Sequence, residues 1–105
     1  KVISEGNVGE TYTIGANNEK SNLELVQCIC KLLDKIKPNP TGKLYSNQIQ
    51  FVTDRPGHDK RYAVDSTKIR KQLDWTPKET HESGLKKTIH WYVNNNKWIE
   101  EITRR

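Results

Sequence analysis

The residues best suited to chemistry in this 105-residue chain lie in the run Asp54-Arg55-Pro56-Gly57-His58-Asp59-Lys60-Arg61-Tyr62-Ala63-Val64-Asp65. Arg55 and His58 flank a Pro-Gly pair, which is strong turn punctuation. Gly57 admits a backbone with positive φ, and a turn of that kind brings Arg55 and His58 toward one side. The planar fork of an arginine at the mouth of such a turn suits a phosphate or diphosphate, so the run reads as an anion clamp. The plain alternative is a solvated hairpin whose charges face water, where exposed ion pairs contribute little. Asp54 and Asp59 stand where they can orient Arg55 and Arg61.

Two extended segments are expected to hold this turn. Phe51-Val52-Thr53 before it and Tyr62-Ala63-Val64 after it have the β-branched and aromatic content of short strands, the first lying within a predicted strand over residues 49–53. Upstream, Glu10-Thr11-Tyr12-Thr13-Ile14 alternates polar and apolar residues between Gly9 and Gly15, which predicts another strand. A long helix follows. Ser21 and Glu24 have capping-box spacing, and Leu25, Val26, Ile29, Leu32, Leu33 and Ile36 form an apolar stripe that Pro38 and Pro40 terminate. Residues 39–47 have the composition of a surface loop. Beyond the clamp, Asp65 or Ser66 caps a short helix with Ile69 and Leu73 on one side, closed by Trp75 and Pro77. Thr80 or Ser83 caps the last helix, where Leu85, Ile89, Tyr92 and Val93 make the buried stripe, Lys86, Lys87 and Lys97 stay outside, and Trp91 and Trp98 cover a flank. The order strand, helix, strand, strand, helices defines an α/β arrangement. The first strand calls for a sheet neighbour that these residues do not provide.

The bulk properties narrow the function classes. At 32% hydrophobic and 30% charged residues, the chain is compatible with one packed domain or part of one. No apolar run approaches the ~20 residues of a membrane span and no signal-peptide pattern occurs, so the expectation is a cytoplasmic protein without a membrane partner. Cys28 and Cys30, two apart on a helix, diverge by about 200° and read as buried reduced thiols rather than a disulfide or metal pair. The net charge of +5 arises from 18 basic and 13 acidic residues that are interspersed. That pattern describes a solvated surface, and without a helix-turn-helix, zinc or RNA-stacking signature the nucleic-acid module is the lesser reading. The chain contains no methionine and opens on Lys1-Val2-Ile3, which looks like the end of a helix, so it is expected to be a piece of a longer protein.

The clamp run, together with Leu73-Asp74-Trp75-Thr76-Pro77, Glu82-Ser83-Gly84-Leu85 and Trp91-Tyr92, closely resembles the C-terminal part of the dTDP-glucose 4,6-dehydratase family. That family belongs to the extended short-chain dehydrogenases/reductases, and the resemblance extends from about Gly6 to about Trp98. It implies that residues 1–105 are the C-terminal substrate-binding portion of an NAD-dependent lyase of deoxysugar biosynthesis, with one strand joining a Rossmann-type sheet outside them. Such an enzyme oxidises the sugar at C4, eliminates water across C5 and C6 and returns the hydride to C6, converting dTDP-glucose to dTDP-4-keto-6-deoxyglucose. By the same resemblance Asn22 contacts the sugar nucleotide, Arg55 grips its diphosphate and His58 stands beside it. The site is then Asn22, Asp54, Arg55, Pro56, Gly57 and His58. Asn22 also opens a helix, where free N–H groups and the helix dipole favour an anion. Family members are commonly homodimers.

The catalytic and cofactor parts of the family pattern have no counterpart in the sequence. The glycines lack G-x-G-x-x-G spacing, and the residues four beyond Tyr12, Tyr45, Tyr62 and Tyr92 are Ala16, Ile49, Ser66 and Asn96, so no Tyr-x-x-x-Lys pair exists. These residues alone are therefore expected to hold neither NAD nor a metal and to be catalytically inactive. Thr13, Ala16 and Asn17 replace the asparagine, glycine and histidine more frequent in the family, which loosens the nucleotide assignment. Another nucleotide-sugar epimerase or decarboxylase is the alternative within the same superfamily.

Overall fold

The computed structural model describes residues 1–59 and 61–104. Its elements in chain order are α1 (Val2–Glu5), β1 (Lys20–Ser21), α2 (Asn22–Ile36), a 3-10 turn (Tyr45–Gln48), β2 (Arg61–Tyr62), α3 (Thr67–Leu73), α4 (His81–Asn94) and α5 (Asn96–Thr103). The helices follow the expected pattern closely. Ser21 and Glu24 form the capping box: the Glu24 N–H donates to the Ser21 hydroxyl at 3.2 Å, and the Ser21 N–H donates to the Glu24 carboxylate at 2.7 Å. Thr80 and Ser83, read as alternative caps, act together as the N-cap and its reciprocal partner on α4. At α3, Ser66 is the N-cap residue but makes no capping bond from its side chain, and the Asp65 carboxylate instead accepts the Thr67 N–H at 2.8 Å. The left-handed Asp74, with φ of 47°, ends α3 immediately before Trp75.

The core is small. Its buried apolar side chains are Cys30, Ile69, Leu73 and Ile89, drawn from α2, α3 and α4, with Ser66 the buried polar residue among them. The radius of gyration is 17.8 Å, against about 13 Å for a compact domain of this length. A chain this open leaves much apolar surface in water. Ile14, Phe51, Val52 and Trp91 are all exposed.

Several expected features give way for one reason, the lack of a partner among the described residues. Residues 10–14 form no strand, because nothing pairs with their backbone; α3 side chains hold them instead. Lys68 binds the Glu10 carboxylate and the Thr11 carbonyl, the Thr13 hydroxyl donates to the Asp65 carbonyl, and Arg70 reaches the Gly15 carbonyl at 3.4 Å. A side chain on Gly15 would come within 3.0 Å of Val64, so a larger residue there needs Val64 to give way by a few tenths of an ångström. Residues 49–53 likewise run without a ladder, and Phe51 and Val52 are 84% exposed. The strand expected at Tyr62-Ala63-Val64 is shortened and shifted to Arg61–Tyr62. It pairs antiparallel with β1, with Lys20 opposite Tyr62 and Ser21 opposite Arg61. The clamp turn is thus not the tip of a hairpin, and the described sheet has only two strands. The molecule is mixed helix with few strands.

Two burial expectations also change. On α2, Val26 is 40% exposed rather than part of the buried stripe, because it faces the open segment at residues 49–52. On the C-terminal side the helix breaks at Asn95 into α4 and α5, so Tyr92 is 47% exposed instead of buried. It packs edge-on with Trp91 and Trp98, ring centroids 5.2 and 6.2 Å away, and the three aromatic rings cover one another. Cys30 is buried and Cys28 half-buried; both are free thiols.

Candidate functional site

The turn at residues 54–59 is built from its own backbone chemistry. Pro56 sets the entry to the turn and Gly57 has φ of 72°, which a side chain there would strain, and the His58 N–H closes on the Arg55 carbonyl at 3.4 Å. This reversal brings Asp54 and His58 side by side. The Asp54 Oδ1 atom lies 2.7 Å from His58 Nδ1 and accepts the Arg55 N–H at 2.8 Å. Asp54 therefore braces the turn and the histidine rather than the arginine side chain. Arg61 is likewise not oriented by Asp59; its partner is Glu19 at 3.3 Å, because β2 pairs beside the segment that leads into β1. Among the described residues the Arg55 guanidinium has no ion-pair partner, and Arg55 is exposed.

Asn22 links this turn to the helix. It is the first residue of α2, and its side-chain amide donates to the Asp59 carbonyl at 3.1 Å. The structure thus joins Asn22 with the Asp54–His58 turn, 32 positions or more away in sequence (54 − 22), through the backbone that follows the turn. At the helix start the Ser21 backbone N–H, and then its hydroxyl, hold the Glu24 carboxyl below the usual carboxylate range. That acid is committed to the cap.

Beside the turn lies a groove of about 870 Å³, lined on one side by Ser21, Asn22, Leu23 and Val26 and on the other by residues of the 49–52 segment with Asp54 and His58. Its walls are largely apolar, and its polar end is Asn22, Asp54 and His58. Sequence reading missed Leu23 and the exposed role of Val26. Both lie on the stripe that Cys30 continues one and two turns later, so helical spacing alone gave no signal that the start of this face lines a groove. A second cavity of about 690 Å³, lined by Asn17, Asn18, Glu19, Ala63, Val64 and Asp65, contains neither Arg55 nor His58 and offers no guanidinium to an anion. Among the described residues no group of acidic, histidine or cysteine side chains has the arrangement of a metal site, and no helix is long and apolar enough to cross a membrane.

A helix start is thus tied to a cationic Pro-Gly turn, within a mixed helical chain with little core of its own. Residues 4–88 match the family model described as GDP-mannose 4,6 dehydratase, and the chain belongs to that family. Within it, the chain is 52% identical over 101 residues to dTDP-glucose 4,6-dehydratase 1 of Escherichia coli strain K12, an alignment covering 96% of this chain and 27% of that protein. To the dTDP-glucose 4,6-dehydratase of Neisseria meningitidis serogroup B it is 54% identical over 104 residues, covering 97% of this chain and 29% of the relative. The crystal structure of dTDP-glucose 4,6-dehydratase from Bacillus anthracis in complex with NAD is similar with a TM-score of 0.74 and 45% identity, over 92% of this chain and 28% of that one. The chain thus spans somewhat more than a quarter of the length of these relatives.

Proposed function

We propose that residues 1–105 form the C-terminal, substrate-binding portion of an NAD-dependent dTDP-glucose 4,6-dehydratase, and that Asn22 with the turn from Asp54 to His58 receives the nucleotide diphosphate. The single observation that carries this reading is the bond from the Asn22 side chain to the Asp59 carbonyl, which sets a helix start against a turn whose arginine is uncommitted. The names and high identity of the relatives support the same reaction class. In this reading Arg55 contributes a charge-assisted bond to the diphosphate, His58 lies beside it, and Asn22 holds the turn in register while facing the ligand. The apolar groove next to them shields the adjoining part of the sugar nucleotide from water.

NAD, when bound, accepts and returns the hydride in such an enzyme. The residues present do not fit it. They contain no glycine-rich strand-to-helix turn, and the described sheet is a two-residue antiparallel ladder, not a parallel dinucleotide-binding core. The role of this chain is binding and orientation. The complete enzyme supplies the cofactor site and the catalytic Tyr/Lys pair. In it residues 10–14 join the Rossmann-type sheet as a strand, and the protein works as a cytoplasmic homodimer.

Calorimetric titration with dTDP tests the clamp. Arg55→Ala is expected to weaken binding by about tenfold or more, the equivalent of losing one charge-assisted bond of about 1.5–3 kcal/mol. An unchanged Kd would sink the diphosphate role of Arg55.

A further inference from the structure

The clamp turn is held unevenly. Among the described residues its leading arm, residues 49–53, forms no ladder, whereas its trailing arm is fastened to the start of α2 by a row of neighbouring contacts. Glu19 pairs with the Arg61 guanidinium at 3.3 Å, Lys20 stands opposite Tyr62 and Ser21 opposite Arg61 in the antiparallel ladder, and the Asn22 amide donates to the Asp59 carbonyl at 3.1 Å. Four consecutive residues, 19 to 22, thus form one seam with Asp59, Arg61 and Tyr62. Asp59 follows His58 directly, so the seam sets where the turn lies against the helix start.

A ladder of two residues is too short to define its own register. Register matters here. A slip of one residue turns every side chain to the other face, and it carries the Asp59 carbonyl about 3.4 Å along the strand, out of reach of Asn22. Within the seam, Glu19 and Arg61 make the contact between opposite charges, and a slip would part them. Glu24, close by at the helix start, is already bound to Ser21 and offers Arg61 no alternative. Both partners are well exposed, with side chains 62% and 49% accessible, so the pair adds little to overall stability. Neither lines the groove beside the turn, so their effect on a ligand there passes through the seam.

We propose that Glu19 and Arg61 are positioning residues of the clamp: their ion pair fixes the register of the β1–β2 seam, which keeps Asn22 on the Asp59 carbonyl and the turn that carries Arg55 against the start of α2. The inference rests on the diphosphate reading above and adds to it two residues that act on the ligand without touching it. Arg61 in this role is a structural cation, paired within the chain, while Arg55 is the one left for the anion.

The test is a double-mutant cycle read by calorimetric titration of the chain with dTDP, at one pH and one salt concentration, with nitrogen-15 spectra of the ligand-free variants. Glu19→Gln and Arg61→Gln are each expected to weaken binding by about two- to fivefold, the scale of one exposed ion pair. The double variant is expected to be no weaker than either, since all three lack the same pair. Arg61→Lys keeps a cation opposite Glu19 and is expected to bind within about twofold of the wild type. In the free chain, Glu19→Gln should shift the side-chain amide signals of Asn22. Lys87→Gln, which removes another exposed pair, with Glu79, should leave both the Kd and those signals unchanged. Wild-type affinity in both single variants would overturn the inference and leave the clamp intact. So would losses that add in the double variant, unmoved Asn22 signals, or an equal loss on Lys87→Gln. No binding of dTDP by the wild-type chain would overturn the diphosphate reading, and the inference would fall with it.

Discussion

The helix α2 and the segment at residues 49–53 are both rich in apolar side chains, border the same groove and meet opposite fates. In α2 every backbone group beyond the ends is satisfied by the helix itself, the capping box ties down its start, and Cys30 is packed into the core. In the segment the side chains are equally suited to structure, yet Phe51 and Val52 remain 84% exposed and no ladder forms. The difference is one of self-sufficiency. A helix closes its hydrogen bonds locally, whereas a strand depends on a neighbour, and among the described residues only the short β1–β2 pair finds one.

The sharpest way to break this comparison is to remove side chains from each region and measure chemical denaturation. Ile69, at 1% exposure the most buried apolar residue of the helical part, is expected to cost about 2–5 kcal/mol as Ile69→Ala. Phe51→Ala, despite the larger side chain, is expected to change stability by no more than about 0.5 kcal/mol. Comparable losses at the two positions would mean that residues 49–53 are already packed and that the contrast is false.

A smaller effect is expected at the helix start. Ser21→Ala removes the acceptor for the Glu24 N–H and should destabilise the chain by about 1 kcal/mol, with a loss of helical circular dichroism. Ser21→Gly should cost only a few tenths of a kcal/mol. An alanine variant as stable as the wild type would show that tertiary packing, not the cap, sets where α2 begins.

The mildest perturbation is acid. The Thr67 side chain, then its N–H, hold Asp65 below the ordinary carboxylate range; the Ser21 N–H does so for Glu24, and the Lys87 side chain for Glu79. Each is depressed in the folded state, so the unfolded chain binds more protons as pH falls below the ordinary carboxylate values. Their contribution is therefore complete above those values and is lost as pH drops through the folded ones. All three are cap or helix-end contacts, so the helical signal should decline with acid; Glu10, depressed by the Lys68 side chain, should loosen residues 10–14 in the same direction, while residues 49–53 show no matching transition. A helical signal unchanged down to about pH 2 would remove these carboxylates from the stability of the helices.

The same division explains what was legible in advance. Helix boundaries near Ser21, Thr80 and Pro38 were readable because capping chemistry and proline act over three or four residues. The Pro56-Gly57 turn was readable for a similar reason. The partners of Arg61 and Val26 were not, since each depends on which distant segment arrives beside it: Arg61 binds Glu19, and Val26 lines an open groove. Asp54 binds His58 only four residues on, a choice made within the turn itself. The predicted strands had the right side chains, but no residue pattern states whether a neighbour is present.

By itself the sequence determined the helices and their caps, the positive-φ glycine at the turn and the family motif that runs through it, because these rest on backbone chemistry and local spacing. Only the tertiary structure decided that Asn22 fastens to the segment beyond the turn, that Arg61 pairs with Glu19, and that the extended segments stay unpaired among the described residues. Contacts of that kind join residues far apart in sequence, and their formation depends on how the whole chain closes, which no local rule contains.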